Sequence, residues 1–256
     1  MPPGPRKQLS LAAHRALHRF GPTRAALERR RAQKGVRFYR EFLGGGELCF
    51  DVGANVGDRT RLFRQLGATV VAVEPQRACI AELKRRFEGD AQVAIVQSAL
   101  GAAPGKAEIA ISESDPTIST MSARWRTEGR FAGSGNWTGT EEVEVTTLDR
   151  LIEEHGRPKF CKIDVEGYEE QVLAGLSEPI PYTSFEFTRE FLDDARKCVS
   201  HLGRIGSIEV SYSPGESMAL AGDWADPGTI FARLDASPEP GLWGDIYVRS
   251  RAATES

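Results

Sequence analysis

An α/β architecture, in which a mostly parallel sheet is covered by helices on both faces, is what this sequence predicts. Three observations predict it. Short apolar runs alternate with helical stretches over most of the chain, and those runs are apolar on both faces. No apolar stretch approaches the roughly 20 residues a membrane helix needs. At 256 residues, 40% hydrophobic and 27% charged, the chain has the length and composition for one main domain with insertions.

The elements follow in order. Leu9, Ala13, Leu17 and Phe20 share one helical face, and a second helix is expected from Thr23 to Leu43. Gly44, Gly45 and Gly46 then break the pattern, which separates an N-terminal helical segment (1–46) from a main domain (47–250). The segment holds eleven Lys/Arg against two Glu, a net +9, in a chain whose remainder nets −12. It lacks the uninterrupted apolar core of a secretory signal and reads as a solvated basic cap. Strands are expected at 47–52, 69–74, 92–97, 159–165, 183–187 and 207–212, with helices at 57–66, 76–87, 147–155, 168–175 and 189–202. GLWGDIYVR (241–249) supplies a seventh strand. It follows a long insertion with no convincing helix, so an antiparallel return is expected. Two stretches break the alternation, 113–140 (rich in Gly, Ser and Thr) and 213–241 (rich in Pro, Gly and Asp), and read as irregular insertions.

Cys49, Cys79, Cys161 and Cys198 are widely spaced, with no CxxC pair and no histidine partner suggesting zinc. They read as reduced core residues of a cytoplasmic protein. His14, His18, His155 and His201 form no paired arrangement with acids.

FDVGANVGDRT (50–60) carries the chemistry of the first strand-to-helix turn. Gly53 and Gly57 let backbone approach a ligand, and the spacing is neither that of nicotinamide binders nor that of a phosphate loop. Glu74, ending the second strand, is placed to accept hydrogen bonds from both ribose hydroxyls of an adenosine-containing cofactor. Asp51 opens the turn, and a negative charge there disfavours a pyrophosphate. A ligand with a positive centre and an amino-acid end fits better, which points to S-adenosylmethionine. KIDVEGYEEQVLAG (162–175) then puts Asp164 and Glu166 on the same rim, concentrating negative charge where a sulfonium and a reacting hydroxyl would meet.

In FDVGANVGDRT, VVAVEP, QSALGAAPGKAEI, VTTLDRLI, KIDVEGYEEQVLAG and SFEF, taken in that order over about residues 47–190, the chain resembles the FkbM family of S-adenosylmethionine-dependent methyltransferases. The resemblance implies a Rossmann-like class I methyltransferase fold with a seven-stranded sheet. It implies O-methylation of a hydroxyl on a sugar, glycan or secondary metabolite. It also implies that Asp51, Gly53, Asn55, Gly57 and Glu74 hold the cofactor, with Ser98 and Ala99 near the adenine. Tyr168 stands where the family often has a small residue.

Removing the proton of such a hydroxyl calls for a positioned carboxylate. Glu166 or Asp164 is expected in that role, with Glu186 as the third candidate. The three could instead hold a divalent cation, a less favoured reading. Trp125, Trp137 and Trp224 lie in the irregular stretches, where they either stack on sugar rings or anchor their loops; Ser119 and Thr120 are candidate loop contacts. A nucleic-acid or protein acceptor would want a basic groove, which the acidic main domain argues against. PIPY (179–182) precedes the fifth strand and does not match an amino-group methyltransferase motif. A cofactor binder without catalysis would leave the three carboxylates dispensable. The apolar face of the N-terminal helices packs on its own domain or on a second copy in a homodimer.

Overall fold

The computed structural model describes residues 24–112, 119–128, 137 and 139–251; the helix expected at Leu9–Phe20, with His14 and His18, lies outside them. In chain order the first half comprises α1 (Arg24–Tyr39), β1 (Leu48–Val52), α2 (Asp58–Gln65), β2 (Thr69–Val73), α3 (Arg77–Arg86), β3 (Val93–Val96), β4 (Ala99–Leu100) and β5 (Gly105–Ile111). The second half comprises α4 (Ala123–Thr127), β6 (Gly139–Thr146), α5 (Leu148–His155), β7 (Phe160–Ile163), α6 (Glu169–Leu173), β8 (Tyr182–Thr188), α7 (Leu192–Ile205), β9 (Ile208–Pro214), α8 (Pro227–Ala236) and β10 (Trp243–Ser250).

The main sheet has seven strands in the order β3-β2-β1-β7-β8-β10-β9. Its inner strands run parallel, and β10 enters antiparallel between β8 and β9. This is the seven-stranded arrangement expected, with the last strand reversed, although a helix, α8, and not a helix-free stretch leads into it. β1, β2 and β7 are buried almost throughout, as strands covered on both faces must be.

Two layers of side chains hold the sheet. On one face, Phe50, Ile163, Leu173, Phe185, Leu202 and Ile246 belong to the larger core. On the other, Phe38, Tyr39 and Phe42 pack against Phe63, Phe160 and Tyr247, with the Phe42 and Tyr247 rings stacked at 5.0 Å. Each such ring contributes about 1.5–3 kcal/mol when fully buried. The apolar side of the second N-terminal helix is therefore taken up by its own domain.

The two stretches read as irregular are partly ordered. The first contains α4, whose Ser122 hydroxyl accepts from the Trp125 amide, and it leads into β6. β6 joins β4 and β5 in a second, three-stranded sheet that the sequence reading missed. The second contains α8, where no helix was expected: Asp226 caps its first turn by accepting from Thr229 N, and Pro227 sits where its missing amide costs nothing. Ile230, Phe231 and Leu234 bury its inner face. Among the described residues no helix is long and apolar enough to cross a membrane.

Candidate active site

The chain leaves β1 outward through β2 and β3 and returns on the other side at β7, so a crevice opens beyond the carboxyl ends of these strands. A cavity of about 400 Å³ occupies it. Gly53, at φ 77°, turns the chain out of β1, and the amides of Gly53 and Ala54 both reach the Val73 carbonyl, at 2.9 and 3.0 Å. A Cβ on Gly53 would stand 1.8 Å from the carbonyl oxygen of Asp164, so only glycine lets the two strand ends pass. Gly57, at φ 86°, opens α2, and a Cβ there would lie 2.6 Å from the Phe87 ring.

Glu74 is 2% exposed. Its Oε2 accepts from Asn55 N and its Oε1 from Gln76 N, each at 2.9 Å, which fixes the carboxylate plane at the cavity wall. Burial raises its pKa, and the two amides work against that rise. Gly53, Asn55, Glu74, Ser98 and Ala99 all line the cavity, with Leu100, Ile109 and Met121 adding apolar surface. Asp51 and Gly57, expected with them, are not among the residues that line it. Asp51 is buried and accepts from the Thr60 hydroxyl; burial pushes its carboxyl up to about 6, against the pull of Thr60 and Lys162.

Asp164 and Glu166 line the same cavity. Glu186 lies behind them beside Glu169 and Trp125, yet Asp164, Glu166 and Glu186 each bring a carboxylate oxygen within 4.8 Å of the others. One divalent cation could bridge that spacing, though an acidic cluster does not by itself assign an ion. Lys162, 1% exposed in the middle of β7, reaches Asp164 Oδ2 at 3.1 Å and Asp245 Oδ1 at 3.0 Å. Burial works against its charge, but the two carboxylates more than reverse this and hold its ammonium well above the ordinary lysine range. Glu186 is the opposite case. Burial drives its carboxyl well above the usual range, Glu166, Asp164 and Glu169 push the same way, and Lys162 only partly opposes them; one oxygen, Oε2, is enclosed with no hydrogen-bond partner. Its surroundings therefore favour the protonated form more than those of an ordinary carboxylate.

A sequence model of the methyltransferase FkbM domain matches residues 51–202, which covers the turn, Glu74 and all three candidate carboxylates. The chain belongs to the FkbM methyltransferase family. Its activity class is S-adenosylmethionine-dependent methyl transfer. No curated protein matches the sequence. Among solved structures, the precorrin-6Y C5,15-methyltransferase of Geobacter metallireducens is similar at 12% identity, covering 86% of this chain and 87% of its own, with a TM-score of 0.43. A putative rRNA methylase of Clostridium thermocellum is similar at 9% identity, covering 85% and 94%, with a TM-score of 0.42. A methyltransferase of Pyrococcus furiosus is similar at 12% identity, covering 86% and 83%, with a TM-score of 0.40.

In this FkbM domain the loop before α4 reaches the site. Ser119 and Thr120 line the cavity, and the Thr120 hydroxyl donates to the Glu166 carbonyl at 2.6 Å, steadying a residue held at φ 54°. Trp125 is buried against Phe191 and fills the space beside Gly167, while Trp224 packs with Phe42 and Tyr182 beneath the Arg249 guanidinium. Both anchor the fold, as the second of the two readings of these tryptophans has it. Tyr168 also lines the cavity. Lys162 was not singled out from the sequence, although a lysine inside an otherwise apolar strand is the signal that marks it. Arg59 and Glu216, paired at 2.9 Å across the cavity mouth, carry no such local mark.

Proposed function

We propose that this FkbM protein transfers a methyl group to a hydroxyl of a sugar, glycan or secondary metabolite in the cytoplasm. The observation that carries the reading is a carboxylate rim facing the same cavity as an oriented, buried Glu74. Bound S-adenosylmethionine supplies an activated methyl on a positively charged sulfur. Glu74 would take the ribose hydroxyls, Asn55 and the turn at Gly53 the amino-acid end, and Ser98 with Ala99 and Leu100 the adenine. The acidic rim suits a positive sulfur, since opposite charge at close range is favourable in a partly dry site.

The residues divide the acceptor's chemistry. Lys162 holds Asp164, and Glu186 lies outside the cavity lining, so Glu166 is the carboxylate assigned to take the proton of the hydroxyl. Such assistance contributes about 10²- to 10⁴-fold to a rate. Four buried cysteines without disulfides suit a reducing compartment. Titration with S-adenosylhomocysteine tests the cofactor half, and turnover of labelled cofactor on a hydroxylated glycan panel tests the other. Glu166→Gln should lower turnover by about 10² or more while leaving S-adenosylhomocysteine affinity within about twofold. Full activity in that variant would remove Glu166 from the mechanism.

A further inference from the structure

Beside the cofactor cavity lies a second, open groove of about 900 Å³ between α1, the start of α2 and the end of α3, and the two share Asp58, Arg59 and Glu216 as walls. Five cations line it against those two acids, a local balance of +3 in a chain of net −3. Arg86 is answered by Asp58 at 2.7 Å and by Glu82, and Arg59 by Glu216. Arg31, Lys34 and Arg61 have no acidic partner among the described residues, and all three are exposed.

We propose that this groove binds a diphosphate group carried by the acceptor, so that the methylated compound is a diphosphate-linked sugar or a similar small molecule. The inference rests on the O-methyltransferase reading, because it assigns the groove to the acceptor of that reaction. Three unanswered cations call for more than the single charge of a carboxylate, and a diphosphate supplies about two or more. Guanidiniums arriving from two helices offer the forked donors that phosphate oxygens accept. A wall of the opposite sign to the rest of the domain also draws an anion to this mouth and away from the acidic rim, where the hydroxyl must arrive.

The test titrates the full chain with S-adenosylhomocysteine first and on its own, so that a failure of the cofactor reading registers there and a failure of the groove registers only in the later arms. Inorganic pyrophosphate and UDP-glucose are then titrated with glucose as the uncharged control. Expected is binding of both anions, absent for glucose, weakened at least about tenfold in Arg31→Gln/Lys34→Gln/Arg61→Gln and steeply by salt. The same variant should keep its S-adenosylhomocysteine affinity within about twofold, which also shows it is folded. Equal anion affinity in the variant, or no anion binding by the wild-type chain, would overturn the proposal. So would a single-stranded RNA oligomer that binds through the same three residues far more tightly than UDP-glucose, because the groove would then be a polymer surface.

Discussion

Replacing Lys162 with methionine keeps most of the apolar stem and removes the charged end, which largely separates the ion pairs from the packing. Lys162 is 1% exposed and answers two carboxylates, those of Asp164 and Asp245, whose side chains are 36% and 14% exposed. Breaking a buried pair costs about 3–5 kcal/mol, because the orphaned charge stays where water cannot reach it. Asp164 is wet enough to be screened, so Asp245 dominates and the lower end applies, about 3 kcal/mol. For a chain of this length that lowers the melting midpoint by roughly 6–12 °C. Urea unfolding followed by tryptophan fluorescence measures the loss. Lys162→Met/Asp245→Asn should recover part of the deficit, because it removes the charge left buried without a partner. A variant within about 1 kcal/mol of wild type, or a double variant no more stable than Lys162→Met alone, would refute the reasoning.

Three other outcomes are expected. Glu74→Gln should weaken S-adenosylhomocysteine binding by roughly 10- to 100-fold in calorimetry, since a charged acceptor is replaced by a half-donor at the ribose position. Gly53→Ala should abolish soluble folded protein or cofactor binding, because its Cβ would meet the Asp164 carbonyl at 1.8 Å; Gly46→Ala, also at positive φ but with nothing within 4 Å, should cost only about 1 kcal/mol in urea unfolding. The third outcome is a fall in stability between about pH 4 and about pH 7. Burial raises the Glu169 carboxyl to about 7, opposed by amides including those of Val165 and Gly167, and Asp51 to about 6. A carboxylate whose folded pKa lies above its unfolded value binds more protons in the native state, so its stabilisation is present at low pH and lost as pH rises through the folded pKa. Glu169→Gln should flatten that slope in the same urea series.

What could be read from the sequence was whatever a local stretch demands of its own backbone. The apolar strands β1, β2 and β7 announce a covered parallel sheet, and Gly53 and Glu74 stand where the turn and strand end need them. β6 carried a legible signal that was passed over: in EEVEV, Val143 turns inward between exposed Glu142 and Glu144, the alternation of a half-covered strand. Pro227 and Gly228 disguised α8, although Asp226 followed by proline is itself a helix start. The charge balance of the site was of another kind. Asp245 lies 83 residues from Lys162 and Glu216 157 from Arg59, and no spacing rule connects them. The choice among three acids was therefore beyond the sequence, since Asp164, Glu166 and Glu186 are chemically alike until the fold gives one a lysine, buries another and turns the third toward the cavity. Residue type named the candidates; burial of Glu186, and the ammonium that Lys162 divides between nearby Asp164 and distant Asp245, give them different surroundings.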